Sequence, residues 1–146
     1  MRIDKLSWLP PLLARLTLGV VFVQSGWGKL HSLERVTAYF VELGIPAASI
    51  QAPFVAATEL FCGALLLLGL GTRLAAVPLA GTMVVAMLTA QRAHLGGLEL
   101  FGLLELAYLS LLAWLVVAGG GVVSLDGLIS RRTLRSSSSR PLAPGA

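Results

Sequence analysis

Apolar residues fill this chain in four long blocks, over about residues 11–29, 53–70, 72–91 and 100–118. A helix needs about 20 mostly apolar residues to cross the hydrocarbon layer of a bilayer. Each block meets that length, so the pattern predicts four membrane-spanning helices. Prolines open the first two blocks, at Pro10–Pro11 and Pro53, and a first helical turn tolerates proline because its missing N–H would have no partner there. The connections are short, "GLGT" between the second and third blocks and "RAHLGGLE" between the third and fourth.

The loop between the first two blocks is longer, about residues 30–52, and has a pattern of its own. Leu33, Val36, Phe40 and Leu43 recur at helical spacing, with Glu34, Arg35 and Glu42 between them. That alternation predicts a short amphipathic helix at the membrane interface. "LGIP" ends it, since glycine and proline break helices. The fold class expected is therefore all-α, an integral membrane four-helix bundle with a short interfacial helix in its first loop. One membrane domain covers 1–130. The remaining 131–146, "RRTLRSSSSRPLAPGA", is basic and serine-rich and is expected to be a disordered cytoplasmic tail.

Composition agrees. Of 146 residues, 56% are hydrophobic and 12% charged, about half the charged share of a soluble domain, roughly 25%. The lipid bilayer is the first partner implied. The net charge of +4 is modest, and no alternation of basic and aromatic residues suggests nucleic-acid binding. Arg2, Lys5, Arg73, Arg131, Arg132, Arg135 and Arg140 fall on one side of a four-span topology, against Lys29, Arg35 and Arg92 on the other. The positive-inside rule then places both termini in the cytoplasm of an inner-membrane protein. Arg15 interrupts the first block and argues against a cleaved signal peptide.

Ionisable residues within spans are costly and need an explanation. At about 100° per residue, Arg15, Gly19, Phe22, Gly26 and Lys29 share one face of the first span, a stripe of charged and small residues suited to close helix packing. Gln24 falls on the opposite face. The topology gathers Lys29, Glu59, Glu105 and Gln91 in one half of the membrane, and Gly63 follows Glu59 by one turn. A lysine between two glutamates would satisfy all three, or one glutamate would be protonated. A structural salt bridge is the plainest reading, and a quinone, lipid or small-substrate site the functional one. Arg15, near the cytoplasmic surface, is expected to snorkel to headgroups. Both histidines fall in loops, so neither haem nor another metal centre is expected. Cys62, the one cysteine, excludes an intrachain dithiol and reads as a small packing residue. Trp8, Trp27 and Trp114 sit near span ends, as interfacial aromatics do.

At these residues the chain resembles the DoxX family of small four-helix membrane proteins. The resemblance is carried by "LLARLTLGVVFVQSGWGKL", "ELFCGALLLLGLGTRLAAVPLAGTMVVA" and "GGGVVSLDGL", and spans about residues 12–128. Where the family often has Gly-Pro-Gly before Ser-Leu-Asp, this chain has Gly120 in the proline position. The matching positions are Arg15, Gly26, Lys29, Glu59, Gly63, Arg73, Ser124 and Asp126. Ser124 or Asp126 would cap a short terminal helix. The resemblance implies an inner-membrane bundle linked to redox work. One branch of the family includes a quinone-reducing oxidoreductase subunit, and other members are membrane partners of thiol and superoxide defence enzymes. The expectation is therefore a subunit or partner of a membrane redox or oxidative-stress system, with quinone as the candidate ligand. A non-catalytic scaffold that recruits a soluble enzyme and a small transporter subunit are the alternatives. Whether the chain is itself an enzyme or a homo-oligomer is left open.

Overall fold

In a computed structural model, described here for residues 8–93, 100–121 and 124, the described residues form five helices and no strand. They are α1 (Leu9–His31), α2 (Leu33–Glu42), α3 (Ala48–Leu68), α4 (Thr72–Ala93) and α5 (Leu100–Ala118). The helices α1, α3 and α4 contain stretches long and apolar enough to cross a membrane. The apolar part of α5, Leu103–Ala118, is shorter. The whole of α5 has 19 residues, about 28 Å at 1.5 Å per residue, against a hydrocarbon layer of about 30 Å. The expected all-helical membrane bundle is thus the one observed, with three helices of spanning length, α5 as a fourth, shorter apolar helix, and α2 as the short helix of the first loop. The tail from 131 onward lies outside the described residues, as do Asp126 and the terminal helix it was expected to cap.

Local chemistry sets the element ends. Prolines fill the first two positions of α1. Two helices stop in the same way. Gly44 (φ +70°) follows α2, and Gly69 (φ +69°) follows α3. In each case the glycine N–H bonds back to the third carbonyl before it, and the next residue's N–H reaches five back: Gly44 to Val41 and Ile45 to Phe40, Gly69 to Leu66 and Leu70 to Leu65. This paired closure needs a left-handed residue, which glycine adopts without strain.

The second span differs from its expected start. It begins at Ala48, not Pro53, so Pro53 lies inside α3 and gives up an N–H that would otherwise bond within the helix. The small residues Ala48 and Ala52, both buried, extend the helix by more than a turn on the side that packs against its neighbour.

The bundle consists of two antiparallel pairs, α1 with α3 and α4 with α5, joined through α3–α4 and α1–α5 contacts. The buried core is Ala14, Leu18 and Phe22 of α1, Leu66 of α3, Ala75, Ala76 and Leu79 of α4, and Leu112 and Leu115 of α5. Apart from Phe22, which sits at mid-depth, these lie in the half of the bundle where α1 begins and α5 finishes, called here the terminal end. At the α2 end, beyond Leu79 on α4, none of the residues whose burial is described is buried in that helix.

Candidate functional site

Two stripes make the seam between α1 and α3. On α1 it is Arg15, Gly19, Phe22 and Gly26, all buried, leading to Lys29. On α3 it is Ala52, Ala56, Glu59, Gly63 and Leu66, all buried. Each stripe recurs at spacings of three and four residues, one side of a helix. The small residues let the backbones approach closely. A Cβ at Gly26 would stand 2.5 Å from the Leu60 nitrogen and 2.7 Å from the Ala56 oxygen, and one at Gly63 would stand 2.9 Å from the Val23 nitrogen. The small residues of the stripe thus stand where α1 and α3 approach each other, and Gln24 on the far side is exposed.

Glu59 sits in the middle of this seam and is 1% exposed. Lys29 Nζ donates to both of its oxygens, at 2.5 Å to Oε1 and 2.7 Å to Oε2. Ser25 Oγ donates to Oε2 at 2.8 Å. The geometry follows from helix direction. Side chains lean toward their helix N-terminus, so Lys29, near the C-terminal end of α1, reaches back along the bundle to Glu59. An unpaired lysine at this depth would extend to the interface, whereas here a buried carboxylate holds it. Ser25 was not singled out in the sequence, although it lies one turn before Lys29 on nearly the same face.

Beside this ion pair the two helix pairs border a half-open cavity of about 690 Å³. Its wall is largely apolar and comes from all five helices, with Val36 and Phe40 of α2 and Leu43 just after it along one side. Phe22 and Tyr108 meet at its base, ring centres 6.4 Å apart. Lys29, Glu59, Ser25 and Glu105 all line it. The sequence placed Lys29 between two glutamates. The structure gives it to Glu59 alone, and Glu105 Oε2 is enclosed without a hydrogen-bond partner among the described residues. Gln91 belongs to α4, but its side chain lies outside the described residues.

The terminal end uses its charges differently. Arg15 is 3% exposed, not extended to headgroups as expected, and its Nη1 donates to the Gly120 carbonyl at 2.8 Å. It also fills the space beside Gly69, where any Cβ would collide with the guanidinium. Arg73 Nη2 donates to the Val117 carbonyl at 3.0 Å. Two arginines thus satisfy carbonyls at and just past the end of α5, where a helix leaves its acceptors unpaired and its dipole negative. Ser124 Oγ donates to the Gly121 carbonyl at 2.7 Å. Cys62 is half-buried against the core. Trp8, Trp27 and Trp114 are exposed, and Trp27 stacks on His31 with ring centres 4.5 Å apart.

A family model described as DoxX matches residues 11–92. The chain belongs to the DoxX family. The match takes in α1 to α4 almost completely, and with them Arg15, Lys29 and Glu59; Glu105 lies beyond it. Among curated proteins, this DoxX chain is 38% identical to "Uncharacterized membrane protein Rv3486" of Mycobacterium tuberculosis, over 81% of the chain and 80% of that protein. It is 32% identical to "Putative oxidoreductase CatD" of Bacillus subtilis, over 81% of the chain and 85% of that protein. It is 28% identical to "Inner membrane protein YqjF" of Escherichia coli, over 88% of the chain and 98% of that protein. No solved structure matches it closely enough to add to this. DoxX membership makes it a membrane protein in contact with the bilayer.

Proposed function

We propose that this DoxX protein is the membrane component of a redox or oxidative-stress system, and that its cavity binds a quinone-type ligand. The observation that carries this reading is an apolar cavity of about 690 Å³ with an ion pair set in its wall. Small-molecule sites are cavities of roughly 300–1,000 Å³, mostly apolar, with a few placed polar groups. An ammonium has three N–H donors, and Glu59 takes two of those on Lys29, which leaves one for a carbonyl oxygen in the cavity. Glu59 is positioned by Ser25 and fixes the lysine head. The name of the Bacillus subtilis relative, an oxidoreductase, points in the same direction. With one cysteine in the chain and so no intrachain dithiol, electrons would come from a partner enzyme. Both termini are assigned to the cytoplasm, which puts the cavity in the outer half of the membrane.

The test is binding of a decyl-substituted 1,4-benzoquinone to the purified chain in lipid nanodiscs. The variants are Lys29→Met and the double variant Lys29→Met/Glu59→Gln, which removes both charges together and so protects the fold. Both are expected to weaken binding about tenfold or more, the loss of one charge-assisted hydrogen bond. Unchanged affinity in the folded double variant would overturn the reading and favour a scaffold that recruits an enzyme without binding quinone.

A further inference from the structure

We infer that Glu105 is a second binding pole of the cavity, so that the ligand is held through two oxygen functions on opposite sides of a ring. This rests on the quinone reading and adds a residue and a ligand shape to it. Phe22 of α1 meets Tyr108 of α5, which fixes those two positions at a common depth. One turn toward the α2 end lie Ser25 on α1 and, because α5 runs antiparallel, Glu105 on α5. Three residues at 1.5 Å each raise both by about 4.5 Å. The Ser25–Glu59–Lys29 group and the Glu105 carboxyl therefore stand at similar depth on different walls, and both line the cavity.

The two poles differ in chemistry. Lys29 can only donate, and two of its three donors are already used. Glu105 has an enclosed oxygen that no described residue satisfies. Buried polar groups in folded proteins are nearly all hydrogen-bonded, so an exception calls for an explanation. Glu105 lines the cavity, and a turn of its carboxyl group about the last side-chain bond brings the covered oxygen to a ligand there. A carboxylic acid donates to a carbonyl oxygen, and a carboxylate accepts from a hydroxyl. Glu105 can therefore bind the ligand oxygen as ketone or as hydroxyl, while the Lys29 pole requires an acceptor in both states. A para-dione ring and its diol meet both requirements, with the apolar walls left for the ring faces and tail.

The experiment compares two probes on the full chain in nanodiscs: the decyl-substituted 1,4-benzoquinone and a decyl-substituted aryl ketone with a single oxygen. Glu105→Leu is expected to weaken the dione about tenfold and to leave the monoketone within about twofold, because only the dione engages the second pole. Glu105→Gln, whose amide can still donate, is expected to retain most of the dione affinity. Thermal unfolding of both variants in the same nanodiscs reports whether the fold is kept. Equal affinity of wild type and Glu105→Leu for the dione overturns the second pole and leaves the Lys29 site standing. Equal weakening of both probes overturns it too, since that is a general packing effect. If the wild type binds neither probe, the quinone reading fails first and the second pole with it.

Discussion

The two ends of this bundle carry the same kind of residue to opposite effect. Arg15 and Lys29 lie on one stripe of α1, two heptads apart. At the terminal end, Arg15 is buried, bonded to the Gly120 carbonyl and packed into the space beside Gly69. Around it Leu18, Leu66, Leu79, Leu112 and Leu115 are fully buried. Its charge is spent on a helix end. At the α2 end, Lys29 is held by Glu59 with 29% of its side chain still exposed, beside a cavity of about 690 Å³. A basic residue within a span thus has two uses: closing a packed end, or holding a charge at the edge of open space. The surroundings decide between them, and substitutions can test the division.

The largest expected effect comes from Lys29→Met. It strands Glu59, 1% exposed, without its cation. Breaking a buried ion pair on one side costs about 3–5 kcal/mol, whereas replacing both members is often near neutral. Lys29→Met should therefore lower the thermal unfolding midpoint in detergent sharply, and Lys29→Met/Glu59→Met should recover most of the loss. Glu59→Met alone should cost less than Lys29→Met, because the freed lysine is half-exposed and long enough to reach the interface. Equal losses in the two single variants would contradict this asymmetry.

Next in size is Gly26→Ala. The new methyl would meet backbone atoms of α3, not the end of a flexible side chain, so α1 and α3 must separate. Overpacking of this kind costs about 1–3 kcal/mol. A smaller loss, about 1 kcal/mol, is expected for Ser25→Ala, which removes one hydrogen bond to a carboxylate that keeps both contacts with Lys29. Unfolding curves of the two variants side by side check the order.

Much of this was legible in the sequence, for reasons that also mark where legibility ended. The spans were readable because crossing a bilayer demands length and apolarity together. The stripe Arg15, Gly19, Phe22, Gly26, Lys29 was readable because helical geometry fixes which residues share a face. Glu59 was readable as a partner because a charge within a span needs one. Ser25 was not, since a serine in a helix more often bonds its own backbone, as Ser110 does to Leu106 here. Arg15's burial was not, because its acceptor is a carbonyl, identical at every residue and so invisible in a sequence. The start of α3 was misplaced because Pro53 resembles a first-turn proline, while the alanines before it signal helix only weakly. The cavity has no sequence signature, since it is defined by contacts that α4 does not make.

Gly81 is where that missing contact can be probed, with the smallest expected effect on stability. It lies on α4 three residues after Pro78, lines the cavity, and has nothing within 4 Å of where a Cβ would stand. Gly26 and Gly63 are glycines because a neighbouring helix needs the space; Gly81 faces space that is already open. Gly81→Ala should therefore leave the unfolding midpoint unchanged or raise it slightly, by up to about 1 kcal/mol from helix propensity. Gly81→Phe should fold as well and occupy the cavity from the α4 side without touching the Lys29–Glu59 pair. Quinone affinity should then fall steeply while stability holds, the reverse of the pattern at Gly26. A Gly81→Phe variant that folds and binds the decyl-benzoquinone as tightly as the wild type would show that the ligand, if bound, does not use this cavity. The functional half of the contrast between the two ends would then be lost, and its packing half would remain.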